Sequence, residues 1–265
     1  MTTFKSTHHT ARNIVIKLGG SALEGLNSAF FQKIQALQRE GYRVIITHGG
    51  GPAINRTLAA HQVASHVLHG IRVTTAEAID LVKTTLIGQV NPLLVHELNR
   101  AGIEAIGLNG FDGQLLESTF LDEAIYGYVG QIKRVNTKLL NTILNTNIVP
   151  VIACIGTTTD GQALNINGDT VASEVALAIE AESLLLVTDV AGIRIEGQYQ
   201  QQVTKSAIEK WIADEHIYGG MIPKVQGALA CLAAGIPSVQ IVDDTLTGTT
   251  IVGCQALTQF SHNSI

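Results

Sequence analysis

Short runs rich in valine and isoleucine recur along this chain, stop abruptly at glycines, and alternate with stretches of helical period. That alternation predicts an α/β protein with a mostly parallel sheet, because parallel strands need long crossovers and are apolar on both faces. The clearest strands fall at 14–18, 44–47, 105–108, 149–155, 184–188 and 238–242. Helices are expected over 28–40, 52–61, 76–88, 92–101, 136–145, 169–181, 204–213 and 223–234. Pro52, Pro92 and Pro223 each stand where a helix can begin, a place that tolerates a missing N–H. Two stretches break the alternation, one around Asp160-Gly161 and one around Glu196-Gly197, and both predict a hairpin. No repeat, low-complexity tract or linker divides the chain, so its two halves are expected to share one sheet.

Three glycine segments are suited to anions. Lys17-Leu18-Gly19-Gly20-Ser21 closes the first strand, His48-Gly49-Gly50-Gly51-Pro52 closes the second, and Gly219-Gly220-Met221-Ile222-Pro223-Lys224 opens a helix. A strand that stops at glycines and restarts as a helix points unpaired backbone N–H groups at one spot. Glycine also lets a ligand approach those groups closely. With the ammonium groups of Lys17 and Lys224, the segments predict a site for a nucleotide polyphosphate and an anionic acceptor. Lys224 in a first helical turn opposes the helix dipole, and a bound anion removes that conflict.

Other polar residues extend the pattern. Arg72, in Gly-Ile-Arg-Val-Thr, offers a guanidinium able to grip a carboxylate through two hydrogen bonds. In Asn165-Ile166-Asn167-Gly168-Asp169, Asp169 is read as holding lysine ammonium groups and Asn165 as binding substrate. The loop Thr188-Asp189-Val190-Ala191-Gly192-Ile193 leaves a strand at its carboxyl end, where open α/β sheets bind ligands. By residue type alone each has an ordinary alternative. Lys17 is also a solvated strand end, 49–51 a tight turn, Arg72 a surface arginine, Asp169 a helix cap, and 189–193 a bland turn. His48 is read as structural, satisfied by neighbouring backbone.

Several classes are excluded. There is no Gly-Lys dipeptide and hence no P-loop, no properly spaced dinucleotide fingerprint, and no protein-kinase catalytic-loop or metal-loop tripeptide. A net charge of −5 without any basic run argues against a nucleic-acid surface. No apolar segment reaches membrane-spanning length, and the start is polar, without the apolar centre of a signal peptide. Cys154, Cys231 and Cys254 are too far apart for a zinc site and read as free thiols of a cytoplasmic protein. His8-His9 reads as inert, and no residue is given to metal.

Taken in order, the three glycine segments, Gly70-Ile71-Arg72-Val73-Thr74, Tyr128-Val129-Gly130, Asn165–Asp169 and Thr188–Gly192 resemble the amino acid kinase family, over about residues 13–242. Within it they are most similar to the branch acting on N-acetyl-L-glutamate in arginine biosynthesis. The resemblance implies an open three-layer αβα sandwich, with an acceptor-binding lobe at about 13–155 and a nucleotide-binding lobe at about 156–265. It implies that Lys17 and Lys224 stabilise the transferring phosphoryl group, that Asp169 organises the lysines, and that Gly50, Gly51, Arg72 and Asn165 hold the acceptor. Gly19, Gly20, Asp189, Val190, Gly192, Ile193, Tyr218 and Gly219 are implied for ATP, with Mg²⁺ held mainly through nucleotide phosphates. Leu164, Gly168 and Pro92 depart from the residues frequent in the family, at positions that bear on substrate fit. Other acceptors of the family (aminoadipate, glutamate, aspartate, carbamate, a nucleoside monophosphate) stay open, as does a non-catalytic effector-binding homologue. The latter is expected to lack a catalytic lysine or aspartate, yet Lys17, Asp169 and Lys224 are all present. Arginine feedback in the family accompanies a long N-terminal helix that links dimers into a hexamer. Only a short polar tail precedes Asn13, so the expectation is an arginine-insensitive homodimer. Strong inhibition by arginine, or a hexamer by light scattering, would contradict it.

Overall fold

Lys17 belongs to an inner strand of an eight-stranded sheet. The strand order is Gln202–Thr204, Gly248–Val252, Ser238–Val242, Ser183–Val187, Arg12–Leu18, Tyr42–His48, Val149–Ala153 and Ala105–Leu108. The computed structural model describes residues 12–20, 23 and 25–253; Ser21, Cys254, His8-His9 and the polar tail lie outside the described residues. Neighbouring strands run parallel except at one pairing, Ser238–Val242 with Gly248–Val252.

Period-two alternation sorts the sheet's apolar side chains into two cores. Val15, Ile45, Ile152, Leu184 and Ile241 face one core, together with Val171 and Val175 of the Gly168–Ala178 helix. Ile14, Ile16, Val44, Ile46 and Leu185 face the other, with Phe30 and Ile34 of Ser28–Arg39 and Leu98 of Asn91–Arg100. Each fully buried large aliphatic chain contributes roughly 1.5–3 kcal/mol, so the two faces together fix the register. The sheet is therefore covered by helices on both sides, as the sequence pattern predicts.

Arg12–Leu18 hydrogen-bonds to Tyr42–His48 on one side and to Ser183–Val187, from the second half of the chain, on the other. The crossovers diverge from these carboxyl ends in opposite directions. A crevice opens at such a switch point.

A smaller sheet, ordered Ala163–Asn165, Ile155–Thr157, Leu116–Phe120 and Gly130–Val135, covers one end. A third core joins it to Ile54, Leu58, Ile79 and Val82 of the Gly51–Ala60 and Ala76–Thr85 helices. Both predicted hairpins form. At the second, Glu196 and Gly197 have φ of 48° and 84°, the left-handed pair of a tight two-residue turn.

Two expectations need correction. The apolar run 149–155 is two strands: Val149–Ala153 ends in the large sheet, the chain bends at Cys154, and Ile155–Thr157 joins the small one. Both pieces are fully buried, so the apolar run by itself carries no sign of the bend. Pro92 does not begin a separate helix. Ala76–Thr85, Leu86–Val90 and Asn91–Arg100 run on as one helical rod whose middle segment is a π-turn, with the Asn91 N–H donating to the Leu86 carbonyl. Proline lacks an N–H and crowds the carbonyl four residues back, and the wider turn absorbs both defects.

Gly248 tests the antiparallel pairing. A methyl there would press on the Ile241 carbonyl oxygen and lie 2.7 Å from the Val242 Cα. Gly248→Ala is expected to cost about 1–3 kcal/mol of stability, read by urea denaturation. An unchanged midpoint would show that these strands do not meet as described.

Candidate active site

Lys17 is one residue from the end of its strand, between Thr47 and Leu186, and shares the parity of Val15. Its side chain therefore rises on the side of the Gly168–Ala178 helix. The Asn167 side chain caps that helix by accepting from the N–H groups of Asp169 and Thr170. Asp169 is thus relieved of capping, and its carboxylate meets the Lys17 Nζ at 2.9 Å.

Lys224 lies in the first turn of Met221–Ala233, and its ammonium donates to the Asp189 carboxylate. That hydrogen bond holds the Asp189 carboxyl below its usual range. The two carboxylates divide the lysines between them in this structure: Asp169 takes Lys17, and Asp189 takes Lys224. Topology gives the reason. The Met221–Ala233 helix packs on Ser238–Val242, the strand paired with Ser183–Val187, so its amino end stands over the loop carrying Asp189.

Lys17, Lys224, Asp169, Asp189 and Gly19 line a single cavity of about 300 Å³ at the switch point. The side chains of Lys17 and Lys224 are 18% and 27% exposed, shielded from bulk water yet open to a ligand.

The glycine loops adjoin this cavity. A methyl on Gly20 would lie 2.9 Å from the Gly51 nitrogen, and one on Gly168 would lie 3.7 Å from Lys17 Cε and 4.0 Å from the Gly49 nitrogen. The first strand's end, loop 49–51 and the helix bearing Asp169 therefore meet at one locus. Gly50 and Gly20 also border a neighbouring cavity of about 350 Å³. Beyond the loop, Arg72 donates to Asn55 Oδ1 at 2.6 Å, to Ser65 Oγ, and to the Gly51 carbonyl at 3.5 Å. These described partners are neutral oxygens. Burial lowers the Arg72 pKa, but a guanidinium stays charged at any physiological pH, so it can still pair with an anion. Asn165 Nδ2 donates to the buried Thr74 Oγ1 at 3.0 Å, tying the small sheet to the Arg72 segment.

The remaining residues implied for nucleotide divide by position. Ile193 is buried and its N–H donates to Thr249 Oγ1 at 2.8 Å; Val190 packs against the core; Gly192, at φ 113°, leaves room for Thr249. These three back the loop whose Asp189 borders the cavity. Tyr218 is 75% exposed and Gly219 has φ 57°, both just ahead of the helix carrying Lys224. Among the described residues no group of three or more His, Cys, Asp or Glu is placed to hold a metal. No helix among them is long and apolar enough to cross a membrane.

Sequence reasoning gives no place in the site to Thr74, Asn55, Asn91 or Cys231. Thr74 lay inside the Gly-Ile-Arg-Val-Thr motif, and an asparagine in a helix interior is itself a flag, since its side chain competes with the backbone. Cys231 borders the lysine cavity, with its thiol pKa raised by burial. Burial pushes the Cys154 thiol up to about 12 despite the nearby Lys17 charge, so it stays protonated.

An open, doubly wound sheet with two ammonium groups, two carboxylates and glycine loops gathered at its switch point defines an α/β protein with a charged crevice between its two halves. The family model of the amino acid kinase family matches residues 12–243, and the chain belongs to that family. It is 43% identical to the acetylglutamate kinase of Geobacillus stearothermophilus, over 89% of this chain and 92% of that one. A Streptococcus mutans UA159 protein of known crystal structure superposes with TM-score 0.80 at 35% identity, covering 91% of this chain and 98% of that one. Carbamate kinase from Giardia lamblia, at 16% identity and TM-score 0.66 over 92% and 99%, shares the fold.

His48 is buried, and burial lowers its pKa from 6.5 to about 4. An unfolded chain binds that proton between the two values and the folded one does not. Stability from this group is therefore full above pH 6.5 and is lost as pH falls to about 4. The interval corresponds to about 3 kcal/mol. His48→Asn should flatten the stability curve over that window by this amount, measured by urea denaturation at several pH values; parallel curves would contradict a neutral buried imidazole.

Proposed function

We propose that this chain transfers the γ-phosphoryl group of ATP to the side-chain carboxylate of N-acetyl-L-glutamate, forming N-acetyl-L-glutamyl 5-phosphate and ADP in arginine biosynthesis. The observation that carries this reading is the meeting of Lys17 and Lys224 at one cavity beside loop 49–51. The identity to acetylglutamate kinases across most of both chains supports the choice of acceptor.

The acceptor carboxylate has a pKa near ~4.3 and is ionised at neutral pH, so the reaction needs no general base. This suits a site whose adjacent histidine, His48, is buried and neutral. One carboxylate oxygen attacks the γ-phosphorus, the bond to the bridging oxygen breaks, and that electron pair leaves with ADP. Catalysis is then alignment and charge neutralisation. The carboxylates of Asp169 and Asp189 are 61% and 73% exposed, so each returns readily to water when phosphate displaces it. The ion pairs thus hold both ammonium groups in place without competing strongly with the ligand.

Arg72, Gly50, Gly51 and Asn165 bind the acceptor in the lobe at about 13–155. ATP lies along Gly19, Gly20, Asp189 and the 190–193 loop, with Tyr218 and Gly219 at its edge, in the lobe at about 156–265. Mg²⁺ supplies further neutralisation of phosphate charge when bound. A cavity with two carboxylates and no three-ligand cluster among the described residues suits an ion carried mainly by the nucleotide. The enzyme works as a cytoplasmic homodimer.

Lys224→Ala should lower turnover by about 10²–10³, as loss of a preorganised donor does, while calorimetry shows N-acetyl-L-glutamate binding little changed. Turnover within a few-fold of the parent would remove Lys224 from the mechanism. In a coupled assay, N-acetyl-L-glutamate should far outperform unacetylated glutamate; equal rates would overturn the acceptor assignment.

A further inference from the structure

We infer that His48, its proton fixed on Nδ1 by Asn91, positions the 49–51 glycine loop for the acceptor, a role that rests on the function proposed above. Both side chains are buried, at 0% and 6% exposure. Asn91 Nδ2 lies 2.9 Å from His48 Nε2 and 2.9 Å from the Val151 carbonyl oxygen. That carbonyl only accepts, so it selects the amide nitrogen of Asn91 as the atom on this side. The second hydrogen of the same nitrogen then points at His48 Nε2, which must accept it.

A neutral imidazole whose Nε2 accepts carries its hydrogen on Nδ1. His48 Nδ1 lies 2.8 Å from the Gly49 carbonyl and donates to it. The Gly49 carbonyl and the Gly50 N–H belong to one planar trans peptide, so holding the first turns the second the opposite way. Three successive glycines leave the loop more backbone freedom than any other sequence, and the histidine removes part of it.

The rest of the packing serves the same point. The π-turn that brings Asn91 to His48 also underlies the loop: a methyl on Gly50 would lie 2.6 Å from Leu86 Cδ2 and 3.3 Å from Val90 Cγ2. Gly107 has no side chain where the Asn91 oxygen sits, and a methyl there would overlap it. Helix, two strands and loop are thereby joined through one buried pair. Burial keeps His48 neutral across any assay near pH 7.

Nitrogen NMR on histidine-labelled parent enzyme, with His48 assigned by difference from His48→Asn, should show Nδ1 protonated and Nε2 bare at pH 7. An Nε2–H tautomer overturns the inference. His48→Asn keeps a donor toward the Gly49 carbonyl, whereas His48→Leu fills the volume and donates nothing. The asparagine variant should keep kcat/KM for N-acetyl-L-glutamate within about threefold, and the leucine variant should lose at least about tenfold, the worth of one hydrogen bond. The leucine loss should fall on the acceptor KM, with the ATP KM unchanged. Equal values for the two variants, or a loss shared by both substrates, overturns the positioning role. If His48→Leu does not fold, Gly107→Ala takes its place, with the same acceptor-selective loss expected and an unselective one contradicting. A parent enzyme forming no acyl phosphate counts against the functional reading instead, and the tautomer measurement then decides the inference.

Discussion

Lys17 leaves its strand on the same face as Val15, and that parity commits its ammonium to the helix side of the sheet, 2.9 Å from Asp169. A slip of one residue would carry the charge into the opposite core among Ile16, Ile46 and Phe30, where no partner could offset its loss of water. The buried alternation on both faces therefore does more than stabilise the sheet. It sets where the first cation stands, and pairing with Ser183–Val187 then brings the Asp189 loop and the helix of Lys224 to the same crevice.

The charges share one design. Each lysine is held by a carboxylate that is itself mostly solvated, and Arg72 is held by neutral oxygens. Exposed ion pairs contribute about 0–1 kcal/mol, so their value to stability is small. On the proposed function their value to a ligand is larger, because ordered ammonium groups need little rearrangement when phosphate arrives. Loop 49–51 is held by neutral groups: His48 contacts the Gly49 carbonyl and Asn91 contacts His48, and on the proposed function this leaves the loop to the acceptor.

Much of this was legible in the sequence because strand ends, glycines and helix starts are local signals. The strands at 14–18 and 238–242 were readable from β-branched runs, the first extending back to Arg12 in the structure, and Asp169 from its place after a hairpin. What escaped depends on distant partners. The bend at Cys154 separates two equally apolar strands, and only their different sheets reveal it. The pairing of Lys224 with Asp189 rather than Asp169 is set by which strands are neighbours, a fact absent from either segment. Pro92 reads as a helix start by every local rule, yet the preceding rod continues through a π-turn that delivers Asn91 to His48. The strand Gly248–Val252 was passed over because Gly248-Thr249-Thr250 is polar at one end; its place is fixed by tight contact with Ile241 and Val242.

The account stands on two ammonium groups serving one phosphoryl group. A crystal structure with ADP, a planar metal-fluoride mimic of the transferring group and N-acetyl-L-glutamate tests it directly. Both Lys17 Nζ and Lys224 Nζ should leave their carboxylates and lie within about 3 Å of the mimic, as donors at a developing charge do. A complex in which either lysine stays on its aspartate, away from the mimic, would contradict the account.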